Sequence, residues 1–298
     1  MKPHELTNDI LKEVARKISH RPGATRDAQE IVCHVMGINR ITLLINQVEP
    51  NPEQVKEIYR ITELVGSHYP LEYALGYSVF LDLKIKVTPA VLIPRVDTET
   101  LVLTAIEILN EKIEKYSPVR QQPRKLVELG KHKQIRVLDL CTGSGCIALS
   151  IKNHYPELEV SASDISEDAL GIAYENAHNL KLDINLIHSN LFENIFGCFD
   201  LVTCNPPYIP TGEFDALEVE ISHEPKIALD GGNDGMHFYR TIASYLSDCL
   251  NENGVILFEV EIHNDWTLDT LTNIFSDFQT KIILDLSGKP RVLRVEKN

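Results

Sequence analysis

The stretch VLDLCTGSGC, Val137–Cys146, predicts the centre of the fold, because an apolar run passes directly into a turn that contains two glycines. A helical pattern follows from Cys146 to His154. Glycines let a backbone approach a ligand closely, and the start of a helix offers free N–H groups. The segment is interpreted as a strand, a turn and a helix that bind a nucleotide-type ligand. A purely structural turn is the alternative, since Ala148 stands where the G-x-G-x-x-G pattern has its third glycine.

Downstream of this segment, strand and helix patterns alternate, which predicts a mostly parallel sheet covered by helices. The predicted strands are 136–140, 159–163, 184–188, 200–204, 255–260, 281–286 and 292–295, and the predicted helices are 146–154, 167–180, 235–251 and 264–277. Only residues 287–290 separate the last two strands. These strands are therefore expected to pair antiparallel, because a parallel return needs a long crossover. The fold class is α/β, a Rossmann-like sheet with a terminal antiparallel hairpin.

The first part of the chain has a different pattern, which predicts a small helical domain over residues 1–76. Asn51-Pro52 is a typical helix start, with asparagine as the cap and proline in the first turn. Residues 77–97 begin with alternating apolar positions and are interpreted as a hairpin connector, and the α/β domain follows over 98–298. Within it, residues 112–136 carry eight Lys/Arg against two Glu and are interpreted as a solvated basic insertion.

Composition narrows the class of function. The chain has 29 Lys/Arg against 43 Asp/Glu, a formal charge of −14, which argues against a protein that binds duplex DNA. The six cysteines form no C-x-x-C pair and no zinc-type grouping with histidine, so no metal site is predicted. No apolar run approaches the roughly 18 residues that a membrane-spanning helix needs.

Asp164 ends the second predicted strand of the sheet, about twenty residues after the glycine turn. In doubly wound sheets a carboxylate at this position accepts hydrogen bonds from ribose hydroxyls. Its alternative role is to cap the next helix, but Ser166 lies closer to the helix start and is the better cap. The sequence therefore favours a ribose contact for Asp164.

A second motif follows the strand that ends at Cys204, where the chain reads Asn205, Pro206, Pro207 and Tyr208. A planar NH₂ group is a poor nucleophile because its lone pair is delocalised. Two acceptors, the Asn205 side-chain oxygen and the Pro206 carbonyl, would localise that pair and orient it for in-line transfer, while Tyr208 packs on the planar group. Together with the glycine turn, the motif predicts methyl transfer from S-adenosylmethionine to an amide or base nitrogen. A rigid turn is the alternative, and it explains only the prolines.

Further segments resemble one family. Residues 70–76, 87–95 and 224–235, taken with Asn205–Tyr208, are similar to the N(5)-glutamine methyltransferases of peptide-chain release factors, the HemK/PrmC family. The resemblance begins at about residue 25 and covers nearly the whole chain. It implies a class I methyltransferase fold and S-adenosylmethionine as cofactor. It also implies a monomer whose helical domain binds a release factor and whose substrate is the glutamine of a Gly-Gly-Gln motif.

The resemblance also implies roles for individual residues. Asn205, Pro206 and Tyr208 would be catalytic, and Asn205–Tyr208 would form the glutamine pocket. The implied cofactor contacts are Cys141, Thr142, Gly143, Ser144, Gly145, Asp164, Asn190, Leu191 and Asn205. Three of them depart from the family pattern, which has glycine at Cys141, an acidic residue at Asn190 and an aromatic at Leu191. An adenine amino group would therefore need the amide oxygen of Asn190.

Two other functions stay open at this point. An adenine-N6 or cytosine-N4 methyltransferase of nucleic acid would use the same pocket chemistry, and a non-catalytic protein that binds a release factor or the ribosome would keep the same fold. The Cys141 loop and the basic insertion are similar to those of fungal mitochondrial members. The expected location is therefore the mitochondrial matrix, with the cytoplasm as the alternative.

Overall fold

The computed structural model describes residues 3–45, 48–116, 135–262 and 265–297. Most of the predicted basic insertion, residues 117–134, lies outside this range. By its internal contacts the chain divides into two compact units, of which the first combines Met1–Tyr77 with Glu218–His223. The second unit combines Ser78–Leu217 with Glu224–Asn298.

The first unit is built from helices whose apolar faces share one core. They are α1 (Pro3–Lys17), α2 (Ala24–Met36), α3 (Arg40–Ile45), α4 (Pro52–Gly66) and α5 (Leu71–Leu75). Val14, Ile31 and Ile58 are fully buried in this core. The predicted start of α4 is confirmed, because the Asn51 side chain accepts from the Gln54 N–H at 2.9 Å and the Gln54 side chain accepts from the Asn51 N–H at 2.9 Å.

The remaining elements form a two-stranded sheet and a seven-stranded sheet with their helices. In chain order they are β1 (Tyr77–Phe80), β2 (Leu83–Lys86), α6 (Val96–Tyr116), β3 (Arg136–Leu140), α7 (Cys146–His154), β4 (Glu159–Asp164), α8 (Glu167–Leu180), β5 (Asn185–His188), β6 (Phe199–Cys204), α9 (His237–Ala243), α10 (Leu246–Cys249), β7 (Leu250–Glu259), α11 (Asp265–Ile274), β8 (Gln279–Leu284) and β9 (Pro290–Glu296). Three short 3₁₀ helices, Thr211–Ala216, Val219–His223 and Lys226–Ala228, follow β6.

The seven-stranded sheet has the order β5-β4-β3-β6-β7-β9-β8. Strands β3 to β7 pair parallel, whereas β9 pairs antiparallel with both β7 and β8. The predicted Rossmann-like sheet with a terminal antiparallel hairpin is therefore confirmed. Leu140 of β3 lies beside Cys204 of β6. The glycine turn and the Asn205 motif consequently leave neighbouring strands at the same edge of the sheet, where open α/β sheets bind ligands.

Several predicted boundaries were wrong. The helix predicted over 235–251 is two helices, α9 and α10, because the chain tightens after Ala243. The Ser244 N–H bonds the Thr241 carbonyl at 3.2 Å, and the Ser244 hydroxyl donates to the same carbonyl at 2.7 Å. β7 then begins at Leu250, five residues before the predicted 255.

The strand predicted at 281–286 is β8, which lies two residues earlier, over Gln279–Leu284. It ends there because Asp285 Oδ1 accepts from the N–H groups of Ser287 and Lys289, at 2.8 and 2.9 Å, which closes the turn into β9. In the part of the chain that the structure describes, no helix is both long and apolar enough to cross a membrane.

Candidate active site

A cavity of about 230 Å³ opens at the carboxyl ends of β3, β4 and β6. Both sequence motifs contribute to its wall, together with the connector after β2 and the start of α9. The lining that carries the predicted site consists of Cys141, Thr142, Gly143, Ser144, Asp164, Asn190, Leu191, Asn205 and Pro207. Thr98, Arg95 and His237 also line it. The structure thus brings most of the predicted cofactor and substrate residues to one place.

The turn after β3 is left-handed at three positions, with φ of +55° at Cys141, +54° at Gly143 and +82° at Gly145. A Cβ at Gly145 would lie 3.2 Å from both the Ala173 Cβ and a Leu149 methyl, so glycine lets α7 begin close against α8. Gly145 is not part of the cavity wall, whereas a Cβ at Gly143 would meet nothing within 4 Å. The turn therefore presents bare backbone to the cavity.

A buried carboxylate, which sequence reasoning missed, supports this turn from below. Asp139 of β3 is fully buried and accepts from the hydroxyls of Thr142 at 2.6 Å and Thr203 at 2.8 Å. Burial raises the pKa of Asp139 to about 7, although both hydroxyls act in the opposite direction. One side chain thus ties the turn after β3 to β6. The signal that could have found it is a carboxylate inside an otherwise apolar strand.

Asp164 closes the other side of the turn. Its Oδ2 accepts from the Gly143 N–H at 2.8 Å, and its Oδ1 accepts from the Ser166 N–H at 2.9 Å. Ser166 is the cap of α8, as predicted, since its hydroxyl accepts from the Ala169 N–H at 3.1 Å. Each carboxylate oxygen accepts more than one hydrogen bond. Asp164 can therefore hold the turn and still accept from ribose hydroxyls, and that contact stays a prediction.

The loop after β5 supplies the wall where an adenine is expected. The Asn190 side-chain amide donates to Glu193 Oε1 at 2.8 Å, which directs the remaining oxygen, Oδ1, away from that bond. Leu191 adopts φ +48° and is nearly buried against the core. The Ser189 hydroxyl donates to the Leu191 carbonyl at 2.7 Å and fixes this bend. An acceptor and an apolar surface thus lie side by side here.

Asn205, the residue that follows β6, has its side-chain orientation defined by a relay. Its Nδ2 donates to the Thr98 hydroxyl at 3.4 Å. The Thr98 hydroxyl is close enough to the Glu259 carboxylate to act on its pKa. Among the described residues, Asn205 Oδ1 has no hydrogen-bond partner. The amide nitrogen is therefore engaged by the protein, and the amide oxygen is left as an acceptor for a ligand.

Glu259, at the end of β7, is only 3% exposed. Burial raises its pKa to about 7, whereas the bond from Thr98 acts to lower it. Its Oε2 is buried and has no hydrogen-bond partner within the described part of the chain. Sequence reasoning missed both Thr98 and Glu259 as parts of the site. A glutamate that directly follows the apolar run 255–258 was the available signal.

The rest of the Asn-Pro-Pro-Tyr motif is held from behind. Pro206 and Tyr208 are not part of the cavity wall, and the Tyr208 ring packs against the core, where burial raises the pKa of its hydroxyl. A Cβ at Gly235 would lie 2.3 Å from the Tyr208 carbonyl, and one at Gly231 would lie 2.7 Å from the Tyr208 Cα. These glycines let the 231–235 loop pack on the motif. The contacts predicted for Pro206 and Tyr208 stay predictions.

Two further side chains, Glu224 and Asn176, stabilise the wall. Glu224, whose side chain is 2% exposed, accepts from the Ile93 N–H at 3.1 Å and pairs with Arg95. Asn176 of α8 donates to the Ser144 carbonyl at 2.9 Å and bonds both the N–H and the carbonyl of Lys86. Asn176 thus fastens the cofactor turn to the end of β2. Nothing in the helical pattern around Asn176 indicated this role.

Comparison with known proteins adds independent findings. Residues 9–76 match the PrmC N-terminal domain, and residues 125–230 match the methyltransferase small domain. A release factor glutamine methyltransferase of Thermodesulfovibrio yellowstonii is 37% identical, over 97% of this chain and 98% of the relative. That of Bacillus cereus is 31% identical, over 92% of this chain and 93% of the relative.

A solved structure of a release factor-specific protein-(glutamine-N5) methyltransferase from Alicyclobacillus acidocaldarius is 27% identical. It covers 72% of this chain and 99% of its own, with a TM-score of 0.38. The full-length relatives, and not this superposition, decide the classification. With 37% identity over nearly its whole length, the chain belongs to the family of release factor glutamine methyltransferases.

Proposed function

We propose that this enzyme transfers a methyl group from S-adenosylmethionine to the side-chain amide nitrogen of the glutamine in a release factor's Gly-Gly-Gln motif. The observation that carries the proposal is the orientation of Asn205. Its Nδ2 is engaged by Thr98, so its Oδ1 is the atom available to accept from a substrate amide. The two relatives that align over nearly the whole chain are named release factor glutamine methyltransferases, which supports the same reaction.

The residues of the cavity fit this cofactor. Arg95 is the one Lys or Arg among the described residues that line it, which suits a nucleoside that carries no phosphates. Asp164 would accept from the ribose, and Asn190 Oδ1 from the adenine amino group beside Leu191. The bare backbone of Gly143 leaves space for the ligand. Bound S-adenosylmethionine supplies an electrophilic methyl carbon on a sulfonium.

The chain's own contribution is to orient and polarise the amide. Asn205 Oδ1 would accept one N–H of the glutamine and the Pro206 carbonyl the other, so that the nitrogen lone pair is localised and held in one direction. No general base is required, because the amide proton becomes acidic only as the new bond forms. Pro206 and Pro207 restrict the backbone at this point, so little reorganisation is needed.

The helical residues 1–76 are proposed to bind the release factor, which the match of residues 9–76 to the PrmC N-terminal domain supports. The charge of −14 disfavours nucleic acid as the substrate. The relatives cited above are bacterial and give no support to the mitochondrial matrix. We therefore propose a bacterial-type release factor as the partner and no particular compartment.

Mass spectrometry of a release factor co-expressed with the enzyme tests the proposal. We expect one added methyl group on the glutamine of Gly-Gly-Gln, and none on a factor in which asparagine replaces that glutamine. Radiolabelled methyl transfer to DNA, measured in parallel, separates the nucleic-acid alternative. An unmodified glutamine, combined with labelled DNA or with failure to bind S-adenosylmethionine, would overturn the proposal.

A further inference from the structure

Three side chains that are far apart in sequence converge in the first unit. His20 follows α1, His68 follows α4, and Glu220 lies in the Val219–His223 turn. One potential ligand atom from each lies within 4.8 Å of the others. His68 Nδ1 is 3.1 Å from Glu220 Oε1, and His20 Nε2 is 3.9 Å from the same oxygen.

We propose that His20, His68 and Glu220 bind a zinc ion. Zinc bonds to imidazole nitrogen and carboxylate oxygen are about 2.0 to 2.2 Å long, so tetrahedral ligand atoms lie about 3.3 to 3.6 Å apart. The two measured separations, 3.1 and 3.9 Å, fall on either side of that range. Two imidazoles and one carboxylate suit zinc rather than magnesium or calcium, which take oxygen ligands. The fourth position is left to water.

The contacts around the cluster favour a metal over a simple hydrogen bond. A bond between His68 and Glu220 explains one contact, but not a second imidazole whose Nε2 faces the same carboxylate oxygen. The two rings lie 4.2 Å apart between centroids. His68 also adopts φ +66°, which residues other than glycine rarely do, and this conformation belongs to the turn that places its ring beside Glu220.

Charge and access are compatible with a cation. Arg21 is close enough to act on the Glu220 pKa, but its guanidinium pairs with Asp27 at 2.7 Å, which offsets its charge. The side chains are 28% exposed at His20, 44% at His68 and 25% at Glu220, so an ion can reach them from solvent. A bound ion would fasten the 219–223 turn to the ends of α1 and α4.

Titration of the chelator-treated full chain tests the proposal. Calorimetry with zinc chloride should show one equivalent bound, and cobalt chloride should give the absorption bands of a tetrahedral site. His20→Ala, His68→Asn and Glu220→Gln should each weaken binding by more than about tenfold, the range that loss of even an outer partner costs. Asparagine is chosen at His68 because it tolerates a left-handed backbone. His178→Ala, an exposed histidine of α8, is the matched control and should bind zinc like the wild type.

Thermal unfolding distinguishes a variant that has lost zinc binding from one that has failed to fold. Zinc should raise the Tm of the wild type and of His178→Ala, and raise the Tm of Glu220→Gln by clearly less at the same zinc concentration. The proposal is overturned if the wild type binds zinc no more tightly than Glu220→Gln. It is also overturned if tight binding survives all three substitutions together, or if the cobalt spectrum of the wild type is that of the free hexaaqua ion.

Discussion

Two loops leave neighbouring strands at the same edge of the sheet, and they are built by opposite means. The loop after β3 turns through left-handed conformations at Cys141, Gly143 and Gly145. The loop after β6 has its backbone restricted by Pro206 and Pro207. The first loop exposes bare backbone to the cavity, and the second places the Asn205 amide oxygen there as an acceptor. If the proposed function holds, the shape of the first loop would serve cofactor binding and the restricted backbone of the second would serve orientation of the substrate amide.

The two loops are nevertheless joined underneath. Asp139 accepts from Thr142 in the cofactor loop and from Thr203 in β6, one residue before Cys204. A movement of either loop would therefore disturb the same buried carboxylate. This shared support would keep the spacing between the proposed cofactor and substrate positions constant, which in-line transfer requires.

The largest expected effect comes from removing the acceptor of the second loop. Asn205→Ala should lower kcat by about 100- to 1,000-fold, the usual cost of losing one preorganised hydrogen-bonding group at a reacting centre. Affinity for S-adenosylmethionine should fall much less, because Asn205 is only one of nine implied cofactor contacts and the loop after β3 is untouched. Kinetics with a release factor and calorimetry with the cofactor measure the two quantities separately. Asn179→Ala, an exposed position of α8, is the control. Turnover of Asn205→Ala at the wild-type rate would remove the proposed role.

The next effect concerns Glu259, the buried carboxyl behind the second loop. Its pKa in the folded protein, about 7, lies above its ordinary value of 4.5, so the folded state holds the proton more tightly than the unfolded state. The contribution of protonated Glu259 to the free energy of unfolding is therefore fully present below pH 4.5 and is lost as the pH rises through 7. The free energy of unfolding of the wild type, relative to Glu259→Gln, should fall by roughly 2 to 3 kcal/mol across that window.

Chemical denaturation at several pH values measures this difference. Asp139, whose pKa is also raised to about 7, is present in both proteins and cancels in the comparison. If the difference in free energy of unfolding between the wild type and Glu259→Gln does not vary between pH 4.5 and 7, Glu259 ionises as easily in the folded state as in the unfolded state.

A smaller effect is expected from the relay that links Glu259 to Asn205. Thr98→Val keeps the shape of the side chain but removes the hydroxyl to which the Asn205 Nδ2 donates. We expect kcat to fall by about tenfold, the loss of roughly one net hydrogen bond, with KM for the cofactor unchanged. Thr98→Ser should restore the rate. A valine variant as active as the serine variant would mean that the orientation of Asn205 is set elsewhere.

The sequence predicted the strands and motifs of these loops well, because each is local. The apolar runs that became β3 and β6 and the antiparallel pairing of β8 with β9 follow from periodicity and connection length. The supports of the site could not be predicted in this way. Thr98 and Asn205 are 107 residues apart, and Asp139 and Thr203 are 64 apart, so only the folded chain brings them together.

The same limit applies to the histidine cluster of the first unit. Spacing rules for zinc sites depend on ligands that lie close in sequence. His20, His68 and Glu220 come from three distant segments, so a zinc motif with closely spaced ligands could not reveal them. The break between α9 and α10 was missed for another reason, since a serine hydroxyl that bonds its own helix leaves the apolar period unchanged.

The smallest expected effect is on the free energy of unfolding, and it compares the two loops directly. Glycine and alanine are each introduced at Cys141 in the first loop and at Pro206 in the second. At Cys141, where φ is +55°, glycine should give a higher free energy of unfolding than alanine by about 1 kcal/mol, because only alanine pays for the left-handed backbone. At Pro206, glycine should give a lower value than alanine by about 0.5 to 1 kcal/mol, because a Cβ costs nothing there and glycine adds freedom to the unfolded chain. Denaturant titration of the four variants measures both differences.

The opposite signs are the decisive result, since they do not depend on the size of either difference. Both comparisons are between glycine and alanine, so loss of the Cys141 thiol and of the proline ring is common to each pair and cancels. If glycine were favoured over alanine at both positions, the backbone at residue 206 would not keep the conformation that proline imposes once the proline is replaced. Proline would then not explain its rigidity, and the direction of the Asn205 acceptor would have to come from Thr98 alone.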